Sequence, residues 1–374
     1  MSYAKIIVVG GTALSIGFGV PLIKDYFGAV RYDGRESMKD HVVVVTGANT
    51  GIGREVTQNL AKRGARVIMA CRDIKKCRET RKQIVLATHN RHVVCREMDL
   101  TSFDSIRQFV ANVIETEPKI DILINNAGVM RCPRMLTKQG IELQMGVNHF
   151  GHFLLTLLLI DKLADSAPSR IINVSSVAHT RTDTINFDDL NSSANYDERD
   201  AYNQSKLANI LFTKELSKRL KDKNITVNAV NPGLTATELM RHMTHYRLTL
   251  FKYLTYPARY LFLRTPVQGA QTVIYAAVSP DLQGVTGKYF SDCAEVSTSA
   301  AAQDSKLALR LWLTSEKWTR IQENARQLDL ERAQIKLKKA EEVKKTTSSA
   351  SSGTHSNTTM LPNTRSVVGT KSVI

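Results

Sequence analysis

Between residues 41 and 230, short β-branched runs alternate with stretches of helical length, and this alternation leaves the chain few architectures. The strand-like runs are Val42–Thr46, Arg66–Ala70, His92–Glu97, Ile120–Ile124, Arg170–Val174 and Ile225–Val230. Between them lie Gly53–Arg63, Ile74–Ala87, Ser102–Ile114, Ile141–Leu163 and Ala201–Leu220, each long enough for an amphipathic or buried helix. Strand, helix and strand at this spacing imply right-handed crossovers, which make neighbouring strands parallel. The strands are apolar along their whole length, as expected when helices cover both faces of the sheet. The fold class expected is therefore α/β, a doubly wound parallel sheet.

The first strand runs directly into Thr46-Gly47-Ala48-Asn49-Thr50-Gly51-Ile52-Gly53 and then into a helix beginning at Arg54. Glycines at 47, 51 and 53 allow a tight turn and bring backbone N–H groups close to a pyrophosphate, and the positive end of the helix completes an anion site. Between a strand and a helix, such a turn is the signature of a Rossmann-type dinucleotide-binding domain. The second strand ends in Cys71-Arg72-Asp73. A carboxylate here would bond a ribose 2′-hydroxyl, whereas an Arg accommodates a 2′-phosphate. Arg72, with Arg54 assisting, favours NADP(H); the competing reading gives the ribose to Asp73. Asn126, Ala127 and Gly128 close the fourth strand with small residues against which a cofactor can lie. Tyr202 and Lys206 stand four apart in a helical stretch and so share a face.

The formal charge of +16 raises the question of a nucleic-acid partner, and its distribution argues against one. Residues 1–40 carry +1, residues 316–374 carry +5, and the remaining +10 is spread over 41–315 with no dense basic arm. Five cysteines (Cys71, Cys77, Cys95, Cys132 and Cys293) are scattered without a CxxC pair, so reduced thiols are expected in place of a disulfide scaffold or zinc site. His149 and His152 lack a third ligand, and no metal is expected. Residues 6–23 are uncharged and, as a helix, would extend about 27 Å, close to a hydrocarbon core. Residues 1–40 are thus expected to form an N-terminal membrane anchor and linker. A cleaved signal peptide, or an apolar arm buried in the fold, is the alternative. Residues 316–345 are expected to form a charged helix and 346–374 a disordered Ser/Thr-rich tail, leaving 41–315 as a single catalytic domain.

With TGANTGIG, NNAG, NVSS, YNQSK and NPG in this order over residues 41–300, the chain resembles the short-chain dehydrogenase/reductase family. The segments CRD, GVNHFGHFLLT and SKLANILFTKEL resemble its retinol dehydrogenase branch in particular. The resemblance implies an NADP(H)-dependent oxidoreductase in which Tyr202 is the acid/base, Lys206 its cationic neighbour and a ribose ligand, and Ser176 the substrate-oxygen partner. It further implies that Asn148 completes a water-linked proton path to the lysine, and that Asp99 and Leu100 contact the adenine. Pro232, Gly233 and Thr237 would face the nicotinamide, with Thr235 as the rival of Thr237. Asn231 departs from the His common at that position in the branch.

A free phenol titrates near 10, so Tyr202 is expected to need a cation beside it to work as a base. The resemblance places a substrate-covering segment at 241–265, whose aromatic, Leu and Arg/Lys composition suits either a hydrophobic substrate delivered from a bilayer or an ordinary core-packed helix pair. A retinoid-like alcohol and its carbonyl are the expected substrate pair, with retinal reduction the working direction. Steroid, lipid-aldehyde or quinone substrates are the alternative. A membrane-tethered adaptor would have no use for the full Ser176, Tyr202 and Lys206 set. The resemblance points to the mitochondrial inner membrane, with the endoplasmic reticulum as the alternative.

Overall fold

A computed structural model describes residues 30–242 and 263–321. The proposed anchor at 6–23, most of 241–265 and the chain beyond 321 lie outside the described residues.

Eight strands form one sheet in the order β3-β2-β1-β4-β5-β6-β7-β8. They are β1 (Val42–Thr46), β2 (Arg66–Cys71), β3 (Val93–Glu97), β4 (Ile122–Asn125), β5 (Ser169–Val174), β6 (Ile225–Asn231), β7 (Tyr289–Ser291) and β8 (Ala294–Glu295). All neighbours pair in parallel except β7 and β8. β1 pairs with β2 on one side and β4 on the other, so the order of winding reverses at its carboxyl end and opens a crevice there. The central strand VVVVT is buried at every position, the reason it reads as an unbroken apolar run.

The helices are α1 (Gly51–Lys62), α2 (Ile74–Thr88), α3 (Phe103–Thr116), α4 (Leu143–Asp165), α5 (Glu198–Arg219), α6 (Pro266–Val278) and α7 (Ser305–Thr319). Val43, Val45, Ile122, Ile124, Ile172 and Val230 present one face of the sheet to Val56 and Leu60 of α1, Ile84 of α2 and Val273 of α6. The opposite face is covered by α3, α4 and α5. α4 is long and apolar enough to span a bilayer, but 83% of its apolar window is buried within the fold, which makes it a core helix. Its first turns include a π-helical segment, Gly146–Phe150.

α7 runs through residue 315, where the sequence placed a boundary. Trp312 packs its ring against Phe153 and beneath the Arg219 guanidinium at 4.1 Å, and Trp318 stacks on Phe150. The cysteines bring a second difference. Cys77 on α2 and Cys95 on β3 form a disulfide with Cα atoms 6.1 Å apart, in place of the reduced pair expected. The crossover folds α2 back over β3, an adjacency that linear spacing does not reveal. Cys71 and Cys132 are free and buried, and burial raises their thiols to about 12 and about 11.

Candidate active site

The crevice at the carboxyl ends of β1 and β4 holds a cavity of about 340 Å³. Gly47, Asn49, Thr50, Gly51, Ile52 and Gly53 line it from the first turn, Arg72 from the end of β2, and Asp99 and Leu100 from the end of β3. Asn126, Ala127 and Gly128 line it from β4, and Thr237 from the segment after β6.

The turn is shaped by backbone that only glycine tolerates well. Gly47 and Gly51 have φ of +64° and +53°, in the left-handed region. A Cβ on Gly53 would strike the Gly47 carbonyl and lie 2.5 Å from Asn126 Nδ2. Thr50 starts α1 without a side-chain cap, which leaves the first N–H groups of that helix for an outside acceptor. The uncapped helix and a cradle that side chains would fill fit a dinucleotide pyrophosphate. Thr46 ties this turn to the next, because its Oγ1 accepts from the Asn126 and Ala127 N–H groups, each at 2.9 Å.

Arg72 and Asp73 are both exposed on the cavity wall, and Asp73 also accepts from the Lys76 N–H at 2.9 Å through one carboxylate oxygen and so caps α2. Lys76 Nζ meets Glu238 at 2.7 Å, joining two segments of the same wall. Arg54 is absent from that wall. Its guanidinium is bound to Glu55 at 3.1 Å and Gln83 at 3.4 Å.

Asn148, Ser176, Tyr202 and Lys206 do not line this cavity themselves; Asn148 is joined to its wall through Val129, which does. Asn148 sits in the π-turn of α4 and clasps the backbone of Val129: its Oδ1 accepts from the Val129 N–H, and its Nδ2 donates to the Val129 carbonyl, both at 2.9 Å. Nδ2 also donates to Ser205 Oγ at 3.0 Å, which joins Asn148 to the helix carrying Tyr202. Ser175 and Ser176 part company at the end of β5. Ser175 Oγ donates to the Lys206 carbonyl at 2.7 Å and is buried. The Ser176 hydroxyl accepts from the Ala178 N–H at 3.2 Å and also bonds the Tyr202 phenol.

Tyr202 and Lys206 are 6% and 4% exposed, one helical turn apart on α5. The Lys206 ammonium donates to the Val174 carbonyl at 3.0 Å and stands 5.7 Å from the centre of the Tyr202 ring. Burial pushes the phenol up to about 12, opposed by the Ser176 hydrogen bond and the positive charge of Arg131. Burial lowers Lys206 to about 8. Arg131 lowers the phenol through its charge, and the Lys206 ammonium, bonded to a backbone carbonyl, stands close to the same ring. Beyond the phenol, Met130, Ala178 and Met240, with Leu239 and Leu263, form an apolar cluster around Tyr202.

Four residues expected near the nicotinamide separate into two groups. Thr237 lines the cavity and approaches Gly51. Pro232, Gly233 and Thr235 instead form the turn behind it. Thr235 Oγ1 is bound to the Pro232 and Gly233 carbonyls at 3.3 and 3.2 Å, and Gly233 has φ of +74° with its Cα against Arg264. Asn231 accepts from the Gly233 N–H at 3.0 Å and holds this turn in shape.

Sequence reasoning missed Arg131, Lys76, Leu239, Met240 and His179. The His179 ring bonds the Ser176 carbonyl at 2.7 Å through Nδ1 and accepts from the Ser299 N–H at 3.3 Å through Nε2. None lies in a recognisable spacing pattern: Lys76 is in the first turn of α2, and the others come from loops or short turns.

The chain matches the model of the short chain dehydrogenase family over residues 41–247. It is 48% identical to retinol dehydrogenase 13 of Homo sapiens over 295 residues, covering 79% of this chain and 89% of the relative. It is 46% identical to human retinol dehydrogenase 14 over 292 residues, covering 75% and 86%. Among solved structures, an uncharacterised protein from Mycobacterium paratuberculosis is 35% identical with a TM-score of 0.60, covering 76% of this chain and 95% of that one. The complex of Pseudomonas aeruginosa RhlG with NADP is 26% identical with a TM-score of 0.55, covering 68% and 95%. The glycine turn, the cavity it lines and the likeness to these relatives over most of their length agree: this chain belongs to the short chain dehydrogenase family, in its retinol dehydrogenase branch.

Proposed function

We propose that this oxidoreductase is an NADP(H)-dependent reductase of hydrophobic carbonyls, retinal foremost, held at a membrane by residues 6–23. The observation that carries the proposal is the Tyr202 phenol, protonated and walled by apolar side chains, beside a dinucleotide cleft. When bound, the nicotinamide supplies a hydride to the carbonyl carbon. The residues of the chain handle the oxygen. The Ser176 hydroxyl hydrogen-bonds it as negative charge develops. Tyr202, pushed up to about 12 by burial, holds its proton at neutral pH and is the group placed to donate it to the substrate oxygen. Lys206, charged below its value of about 8, and Asn148 lie behind the phenol as the route by which a proton is replaced.

Arg72 supports NADP(H), since it stands exposed on the cavity wall; Asp73 lines the same wall with one carboxylate oxygen engaged at the α2 cap. The assay is purified full-length protein with NADPH or NADH against all-trans retinal, a steroid ketone and an aliphatic aldehyde. Preference for NADPH with retinal is expected, and Arg72→Asp should shift the preference toward NADH by about tenfold or more, the loss of one charge-assisted phosphate contact. An unchanged preference removes Arg72 from this role, and a steroid turned over faster than retinal favours the second substrate class. A mitochondrial membrane is the location proposed, which fractionation against mitochondrial and endoplasmic-reticulum markers checks.

A further inference from the structure

His152 lies one turn beyond Asn148 on α4 and is 3% exposed. Its Nδ1 is 3.1 Å from the Asn148 carbonyl, and its Nε2 is 2.9 Å from Thr46 Oγ1. The carbonyl can only accept, so Nδ1 carries the proton and Nε2 is bare. Thr46 Oγ1 accepts from the Asn126 and Ala127 N–H groups, and its own proton has two acceptors, the Ile124 carbonyl at 3.4 Å and His152 Nε2 at 2.9 Å, of which the closer is the imidazole. One unbroken chain of hydrogen bonds therefore runs from the backbone that lines the dinucleotide cleft, through Thr46 and the imidazole, to the Asn148 carbonyl.

We propose that His152 is a positioning residue that couples the dinucleotide-binding turn to Asn148, so that occupation of the cleft sets the geometry of the proton supply behind Tyr202. The coupling rests on the functional reading above for the role of Asn148, but the hydrogen-bond chain itself does not. The imidazole is suited to the task because it stays neutral. Burial lowers it to about 4, with the nearby Lys206 charge acting in the same direction. A protonated ring would place a second donor against a Thr46 oxygen that has no lone pair left. A fixed tautomer gives the link a single direction, from Thr46 hydroxyl to imidazole to carbonyl.

The test combines a spectroscopic and a kinetic arm on the full chain in detergent. With ¹⁵N-labelled histidine, the His152 resonances, assigned by their loss in His152→Asn, should report the Nδ1–H tautomer and shift on saturation with NADPH. In kinetics, His152→Leu removes both bonds, whereas His152→Asn keeps a donor for the Asn148 carbonyl and loses the Thr46 arm. The expected result is kcat for retinal lowered about tenfold to a hundredfold in His152→Leu, with dinucleotide affinity held within about threefold. His152→Asn should recover part of that loss. An Nε2–H tautomer, resonances unmoved by NADPH, or a kcat within twofold of wild type in His152→Leu would overturn the coupling. If the wild-type protein reduces no carbonyl in the panel, the functional reading fails, and the tautomer and its response to NADPH still decide whether the link exists.

Discussion

His149 and His152, three positions apart on α4, are buried to the same degree but serve different partners. His149 Nε2 meets Ser315 Oγ of α7 at 2.7 Å, and the Ser315 hydroxyl donates to the Leu311 carbonyl, so the imidazole is the donor in this pair. Its pKa is lowered to about 3 and that of His152 to about 4, burial being the first cause in each. The unfolded chain takes up these protons near 6.5, whereas the folded chain resists until much lower pH. Stability from these groups is therefore complete above pH 6.5 and is lost as pH falls from 6.5 toward 4, at about 1.4 kcal/mol per pH unit for each ring. Urea unfolding at pH 7.0, 6.0 and 5.0 should show this decline, and His152→Asn should reduce its slope; equal stability at all three values would contradict it. At this scale the sequence was legible where spacing carries meaning. Tyr202 and Lys206 one helical turn apart are such a case. The choice of Ser176 over Ser175 came from family resemblance, and the structure separates the two by what each hydroxyl bonds. It was illegible where a side chain takes its partner from another element, as Arg54 does with Gln83 of α2, away from the cleft.

The elements that position the site are β1, β4, β5 and α5, and their buried runs read plainly from the sequence because both sheet faces are covered. β7 is only Tyr289–Ser291, too short to show a period, and it is held by pairing with β6 that no local signal announces. α6 was passed over although Thr265, Pro266 and Gln268 carry a capping box with proline at the helix start. The covalent pairing of Cys77 with Cys95 depends on a crossover, not on spacing, and escaped for the same reason. α7 extends past residue 315, which decides where a tail deletion can begin. A deletion from residue 316 removes Trp318, stacked on Phe150 beside Asn148, and the fully buried Thr319. Deleting 322–374 should leave carbonyl reduction within about twofold. Deleting 316–374 should lower the thermal midpoint by several degrees, as expected from the loss of one large packed aromatic worth roughly 3–5 kcal/mol. Equal midpoints for the two deletions would show that the end of α7 contributes nothing to the fold.

At the scale of the whole molecule, the positive charge is spread and is not gathered at the cleft. The cleft wall sets Arg72, Lys76 and Arg241 against Asp73, Asp99 and Glu238, so the excess of +10 on residues 41–315 lies elsewhere along that span. One sheet supplies both halves of the chemistry. Its winding reversal at β1 and β4 opens the cleft, and Ser176 and Tyr202 come from the end of the adjacent β5 and from α5. Family motifs made this division legible before the structure, because each motif sits at a strand end or on one helix face. The apolar wall around Tyr202 was legible only as composition, since Met130, Ala178 and Met240 come from three separate loops. The central claim is that Tyr202 delivers the proton during hydride transfer from NADPH to a hydrophobic aldehyde. Single-turnover reduction of all-trans retinal by purified wild-type and Tyr202→Phe protein tests it most directly. The account predicts a rate about 10²- to 10⁴-fold lower in the variant with NADPH still bound, and a variant as fast as wild type would contradict it.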